Sequence, residues 1–444
     1  MGLKTPDKIR TFQRKLYLKA KAEPDFRFYL LYDKVYRDDI LSHAYRLAKA
    51  NGGIAGVDGV TFEQIESEGL GEWLSGVREQ LRTKTYKPQS VLRVEIPKPG
   101  GGKRPLGIPT IRDRVVQTAV KIVIEPIFEA DLEPNAYGYR PKRSAVDAIS
   151  KVHKLLKEGF VNVVDADLSK YFDTIPHTEV MQCVARRISD RHMLKLIKQW
   201  LKVPVQTKDQ NGRGHTAGGR GSRAGTPQGG VISPLLANLY MNRFLKYWRL
   251  KGCEEAFTAN VVAYADDFVI LSRGEVSKVL EWTQQVMSRI GLSLNMDKTS
   301  LKDARKEHFD FLGYTFGLMC VTRKGIWRMG AEPSKNSVKR LKGKVRNLLR
   351  PCEKGPWPVV RDRLNVLLRG WCQYYNYGWT QPVYRGVEGN VYNRVRSFLV
   401  QRHKMHSRGI RRFPSEVVFG ELGVLLPRPI RTTVCRVPYG EASR

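Results

Sequence analysis

The stretch Val261-Val262-Ala263-Tyr264-Ala265-Asp266-Asp267-Phe268-Val269-Ile270-Leu271 places two adjacent acids between two apolar runs. Short β-branched and aromatic runs around a brief polar break predict two strands, 261–264 and 268–271, joined at Ala265-Asp266-Asp267. A second apolar run, Phe160 to Val164, leads into Asp165-Ala166-Asp167. Acids clustered at strand ends repel one another and lose water, a cost that a cation relieves. Oxygen donors without His or Cys suit Mg²⁺, with Mn²⁺ as a substitute. Two such ions roughly 4 Å apart can activate a 3′-hydroxyl and stabilise a leaving pyrophosphate. The chemistry these acids allow is therefore nucleotidyl transfer. Asp165 lies two residues from Asp167, on the same strand face, so the sequence alone leaves it open as a ligand.

Composition points the same way. The 444 residues suit two or three domains. Lysine and arginine number 77 against 43 acids, a net charge of +34 spread along the chain. A broad basic surface of this kind meets a polyanion. Rings interleave with the basic residues, as in Trp371-Cys372-Gln373-Tyr374-Tyr375, and can stack on bases or fill a helical core. No apolar run approaches the ~18 residues of a membrane span, and the polar N-terminus lacks a signal core, so a cytoplasmic protein is expected. Six cysteines without a C-x-x-C pair argue against a zinc module.

Outward from the acids, residues 8–50 read as helical, followed by breaks at Asn51-Gly52-Gly53 and Gly56-Val57-Asp58-Gly59. Val91 to Ile96 and Leu106 to Ile108 read as strands around a Pro-Gly turn, and Ile111 to Phe128 as a helix. Ser144 with Asp147 marks a helix start and Gly159 its stop. Thr178 to Lys202 reads as helix, 208–230 as a mobile Gly-rich loop, and Ser233 to Arg249 as helix. Helix 275–290 and strands 292–296 and 309–316 follow. Beyond residue 330 the pattern is helices carrying Lys and Arg.

Several segments fall in the order of a known family: Ile96-Pro97-Lys98-Pro99-Gly100, Arg104-Pro105-Leu106-Gly107-Ile108-Pro109, Ala136-Tyr137-Gly138-Tyr139-Arg140-Pro141, Asp167-Leu168-Ser169-Lys170-Tyr171-Phe172-Asp173, Gly225-Thr226-Pro227-Gln228-Gly229-Gly230, Tyr264-Ala265-Asp266-Asp267, Gly291-Leu292-Ser293-Leu294-Asn295, Lys298-Thr299 and Phe311-Leu312-Gly313. The chain resembles a group II intron-encoded reverse transcriptase, also called a maturase. The resemblance implies an α+β right-hand polymerase. Residues 1–60 would be a template-contacting N-terminal extension, and 61–325 the fingers and palm, with an antiparallel sheet plus helices. Residues 330–444 would be a mostly α-helical thumb or maturase domain.

The resemblance also implies roles. Asp167, Asp266 and Asp267 would be the catalytic carboxylates holding two Mg²⁺ ions. Lys98, Arg104 and Arg114 would clamp the incoming triphosphate, because guanidinium groups fork onto phosphate oxygens. Tyr171 or, better placed, Phe172 would exclude a 2′-hydroxyl. Gln228 would sit at a turn approaching the base pair, and Lys298 would hold a proton for pyrophosphate.

The implied activity is RNA-directed DNA synthesis combined with binding of a parent group II intron RNA to assist splicing and retrohoming. The implied partners are that RNA, an RNA template with DNA primer, target DNA and dNTPs, with no membrane; association with a bacterial nucleoid is compatible. Fuller family members carry a DNA-endonuclease module after the thumb, and the expectation here is a form without one. Three alternatives stand beside it: a domesticated reverse transcriptase for DNA repair or phage defence, a diversity-generating or CRISPR-associated enzyme, and, of another class, an RNA-binding splicing cofactor with a vestigial polymerase site. The loop 208–224, with Arg213, Arg220 and Arg223 among glycines, is left unassigned.

Overall fold

The computed structural model describes residues 3–97, 102–208, 214–219, 221–320 and 326–430. Three N-terminal helices come first: α1 (Asp7–Ala22), α2 (Tyr32–Val35) and α3 (Asp38–Asn51). The region read as one helical stretch is thus broken, with Pro24 in the first gap. Helix α4 (Phe62–Arg82) opens with a capping box between Thr61 and Gln64. Strands β1 (Val91–Pro97) and β2 (Lys103–Ile108) form an antiparallel ladder. Helix α5 (Ile111–Glu129) is capped by Thr110, which accepts a hydrogen bond from the Asp113 amide. It is buried on almost every side, as a helix apolar all round must be, and α1 and α3 pack against it.

The palm follows. Helix α6 (Ala145–Lys157) starts at the capping box of Ser144 and Asp147, and Gly159 ends it with a φ of +91°. Then come β3 (Asn162–Asp167), α7 (Tyr171–Thr174), α8 (His177–Ala185) and α9 (Arg191–Leu201). The single helix expected over 178–202 is interrupted because Asp190 caps α9. Its carboxylate accepts from the amides of His192 and Met193, and also from those of Leu31 and Tyr32. Strands β4 (Pro204–Lys208) and β5 (Gly214–Gly218) pair antiparallel, so part of the expected Gly-rich loop is sheet. Glycine there lowers strand propensity without preventing edge pairing.

Next are α10 (Ser233–Leu250), α11 (Cys253–Ala256), β6 (Ala259–Tyr264), β7 (Asp267–Ser272), α12 (Val276–Arg289) and β8 (Ser300–Asp303). The expected strand at 292–296 reduces to one bridge, Leu168 to Leu294. The chain turns at Asn295, whose carbonyl takes the amides of Lys298 and Thr299. The strand expected over 309–316 is a hairpin of β9 (Phe309–Phe311) and β10 (Tyr314–Cys320). Leu312 and Gly313 both have positive φ at its turn, +50° and +78°, as tight hairpins require. Strand β11 (Trp327–Pro333) pairs with β10, and α13 (Lys335–Leu348), α14 (Trp357–Tyr374), α15 (Gln381–Arg402) and a π-helical turn (Val417–Glu421) follow.

Among the described residues three sheets result, ordered β2-β1-β4-β5, β6-β7-β3-β8 and β11-β10-β9. The middle one is covered on both faces. Val164, Ala166, Val261, Ala263, Phe268 and Ile270 face a core shared with the N-terminal helices, α5 and α10. Their alternating neighbours Val163, Val262, Val269 and Leu271 face a second core with α6, the third sheet and the thumb helices. This period-two alternation fixes register, because a slip by one residue would exchange the two cores. Both cores grip the strands that end at Asp167 and begin at Asp267. No helix among the described residues is long and apolar enough to cross a membrane.

Candidate active site

Tyr264 pairs with Asp267 across the β6–β7 ladder, so Ala265 and Asp266 alone make the turn. Ala265 has a φ of +59°. A tight hairpin demands this conformation, and a non-glycine residue held in it stores strain. On the other side of β7, Asp267 stands directly opposite Asp167 of β3. Pairing alone therefore brings these two acids together, with Asp266 on the adjoining turn.

The strained turn is held from behind by residues 135–140. Ala263 donates its amide to Asn135 O at 3.0 Å, and Tyr137 donates to Ala263 O at 2.8 Å. Asn238 of α10 donates to Gly138 O at 2.6 Å. Arg140 is buried and ion-pairs with Glu129 at 2.7 Å. Its Nη1 donates to the carbonyls of Glu133 and Ala136 at 2.6 and 2.8 Å.

A cleft of about 790 Å³ opens over the turn. Six of the nine residues expected from sequence line it: Arg104, Asp167, Phe172, Gln228, Asp266 and Lys298. Asp267 adjoins them. Its carboxyl is pushed up to about 6, first by burial and then by Asp266, Asp167 and Asp165, while Lys298 opposes the shift. Lys298 Nζ lies 3.1 Å from Asp167 Oδ2. Asp165, left open by the sequence, lies outside the cleft lining and pairs with Lys302 at 3.7 Å.

Among the described residues no three acidic, histidine or cysteine side chains already converge on one point. The donor type nevertheless fits a hard divalent cation. Asp167 and Asp266 line the cleft and Asp267 adjoins it, no His or Cys lines it among the described residues, and burial together with the neighbouring acids lifts Asp267.

Gln228 is fixed at both ends. Gly107 donates its amide to Gln228 O at 2.5 Å, and Arg104 Nε donates to Gln228 Oε1 at 3.1 Å. Gly229, with φ +106°, would drive a Cβ into Gly107 O. The glycine thus serves the contact between this turn and strand β2. Of the two aromatics, Tyr171 gives its hydroxyl to Ala237 O at 2.6 Å and is core. Both rings line the cleft and both are buried, but Phe172 has no hydroxyl tied to the core.

Of the two remaining expected residues, only Arg114 is seen to lie away from the cleft. Lys98 lies outside the described residues. Arg114 points elsewhere: Nη1 and Nη2 donate to Gly52 O and Ile54 O at 3.1 and 2.7 Å, and the guanidinium stacks over Phe62. Burial pulls its pKa down, with Asp58 opposing. Arg114 therefore clamps the Gly-rich break after α3, taking up two of its carbonyls. Arg114→Ala is expected to lower stability by about 2–3 kcal/mol and leave KM for dNTP within about twofold, checked by thermal melts and steady-state extension.

The cleft also contains Arg93, Lys103 and Lys170, which sequence reasoning passed over. The signal for Arg93 was present. The alternation of 91–97 with its antiparallel partner puts Arg93 and Lys103 on one face, through the pairs Arg93–Gly107 and Pro97–Lys103.

Residues 96–316 match the family model "Reverse transcriptase (RNA-dependent DNA polymerase)", and residues 338–413 match "Group II intron, maturase-specific domain". The chain is 35% identical to Protein YkfC of Escherichia coli over 345 residues, covering 69% of this chain and 87% of that protein. It is 35% identical to the group II intron-encoded protein LtrA of Lactococcus lactis over 224 residues, 50% of this chain and 35% of LtrA. It is 25% identical to the putative COX1/OXI3 intron 1 protein of Saccharomyces cerevisiae over 426 residues, 84% of this chain and 48% of that one. The chain thus spans about a third of LtrA and half of the yeast protein. With its palm turn and basic helical C-terminal region both matched, the chain belongs to the reverse transcriptase family, in the branch that carries a group II intron maturase-specific domain.

Proposed function

We propose that this chain copies RNA into DNA at the Asp167, Asp266 and Asp267 cleft, and that its basic helices hold a group II intron RNA while that RNA splices. One observation carries the reading. Six residues separated by up to 194 positions in sequence, from Arg104 to Lys298, line one cleft beside the strained acidic turn.

Asp167, Asp266 and Asp267 would hold two Mg²⁺ ions, which supply charge neutralisation for the attacking 3′-hydroxyl and the departing pyrophosphate. The remaining work falls to this chain's own residues. Arg104, with Arg93 and Lys103 beside it, receives the triphosphate of a dNTP. Lys298 holds a proton beside Asp167 for the leaving group. Gln228, tied to β2, fixes the position of the templating pair. Residues 1–60 contact the template, and 330–444 grip the primer–template duplex and the intron RNA.

Phe172 packs where the sugar of the incoming nucleotide sits. Phe172→Val is expected to raise ribonucleotide incorporation by about 10–100-fold relative to dNTP, since opening a wall beside a hydroxyl relieves about 1–3 kcal/mol of exclusion. Single-nucleotide extension with each nucleotide type checks it. The intron half is tested by expressing an Asp266→Asn protein in its host, cross-linking and sequencing the bound RNA. One structured RNA flanking the gene supports the reading, and reads scattered over unrelated RNAs remove the maturase role.

A further inference from the structure

Helices α8 and α9 leave a groove of about 980 Å³ between them. It lies beside the polymerase cleft, not within it. Asp173 and Thr174 line the cleft, whereas His177 and Thr178, one turn further along, line the groove. Arg223 also lines it and is tied to α8, since His177 donates its amide to Arg223 O at 2.9 Å.

The charge of the groove has one sign. Arg191, Lys195, Lys198 and Lys202 line it from α9. Their spacing of i, i+4, i+7 and i+11 makes one stripe along the helix, about 16 Å long. Arg223 adds a further cation to the groove, and no Asp or Glu lines it among the described residues. No acid stands one helical turn from Lys195 or Lys198. Such a stripe repels itself and favours a polyanion.

A second observation, independent of charge, bears on which polyanion. His177 is only 6% exposed. Its Nε2 lies 2.7 Å from Gly225 O, which can only accept, so Nε2 carries the hydrogen. In the neutral ring Nδ1 is then an acceptor, and it is buried without a partner. A DNA backbone has no hydrogen to give it. The ribose 2′-hydroxyl of RNA does.

We propose that the α8–α9 groove is a second RNA site, holding the backbone of one RNA strand while the cleft holds primer and template. The α9 cations meet successive phosphates, and a small shift of the groove wall that uncovers Nδ1 lets a ribose hydroxyl supply the donor His177 lacks. A groove of about 980 Å³ has room for a few nucleotides of one strand and not for a duplex. Apart from the buried His177, no described lining residue carries a ring for a base to stack on, which makes this a backbone site. The proposal stands apart from polymerisation, because none of these side chains lines the cleft.

The test uses the full chain with its cleft saturated by primer–template duplex. The probes are a fluorescent single-stranded RNA of about eight nucleotides, the same sequence as DNA, and its 2′-O-methyl form. Wild type is compared with the Arg191→Ala, Lys195→Ala, Lys198→Ala triple variant, which alters only exposed residues. RNA is expected to bind the variant at least about tenfold more weakly. The slope of log affinity against log salt should fall by about 2, at about 0.7 for each phosphate no longer neutralised. DNA and 2′-O-methyl RNA should bind wild type several-fold more weakly than RNA. Primer extension in the same samples should be unchanged, and it reports on the cleft separately. Equal RNA binding by both proteins, DNA binding as tight as RNA, or photo-cross-links mapping outside α8, α9 and Arg223 would each overturn the proposal. A Lys195→Glu, Lys198→Glu variant gives a second reading through a larger loss.

Discussion

Replacing Asp266 by asparagine is expected to lower RNA-templated DNA synthesis by about a hundred- to a thousandfold or more, with RNA affinity held within about twofold. The two readouts separate because Asp266 sits on a two-residue turn at the cleft, while the basic surfaces lie on other elements. Asparagine keeps the shape and one oxygen but removes the charge that a divalent cation would balance. Retention of extension at more than about a tenth of wild type would remove Asp266 from the catalytic set. Joint loss of RNA binding would show that the acids also organise the RNA-binding surfaces. Primer extension and filter binding on one preparation read both.

The same substitution has a stability signature with a defined sign. Asp267 is pushed up to about 6, and Asp266 is the largest charge contributing after burial. A carboxyl whose folded pKa lies above its unfolded value makes its full contribution to stability below the unfolded value. That contribution is lost as pH rises through the folded one. At pH 7.5 the wild-type cluster therefore carries repulsion that Asp266→Asn relieves. Solvent reaches Asp267, so screening reduces the gain to under about 1 kcal/mol. In metal-free buffer the variant should melt about 1 °C higher at pH 7.5, and the difference should shrink towards pH 4. Such a gain on loss of function is the trade-off expected where an active site holds unfavourable charge.

The palm was readable because its signals are local. An apolar run, two acids and a second apolar run define β6–β7, and period-two alternation gives both faces of the sheet. The capping box at Ser144 was equally legible. What the sequence could not show depends on contacts distant along the chain. Arg114 reads as a phosphate ligand until α3 and the Gly52–Ile54 carbonyls are seen beside it. Asp190 ends one helix and starts another partly because the amides of Leu31 and Tyr32 reach it from 158 or more positions away. Arg93 was half-legible: strand alternation sets it on one face with Lys103, but only the fold turns that face towards the acids. The groove on α9 was invisible as a site, since its cation stripe reads as a solvated helix face until α8 and Arg223 are seen beside it.

Gly138→Ala carries the second large effect, and it tests how the acids are held instead of what they do. A Cβ at Gly138 would overlap the Ala265 amide nitrogen and lie 2.9 Å from Tyr264 C and 3.2 Å from Ala265 Cα. All three are backbone atoms in or beside the acidic turn, so no side chain can rotate away. The turn cannot easily retreat. Its φ at Ala265 is already strained, and both of its strands are locked into a sheet buried on two faces. The 135–140 segment cannot easily retreat either, because Asn238 and the buried Arg140–Glu129 pair hold it. The strain should cost about 1–3 kcal/mol of stability. It should also displace Asp266 by a fraction of an ångström, enough to lower kcat by about a hundredfold. KM for dNTP should change little, since Arg104 and Gln228 belong to other elements. Asn238→Ala is the matched control: it removes one hydrogen bond from the same brace without pushing on the turn, and should cost stability with under about tenfold loss of kcat. If Gly138→Ala melts lower yet extends primers at the wild-type rate, the brace is structural only and the geometry of the acids is set by the sheet alone.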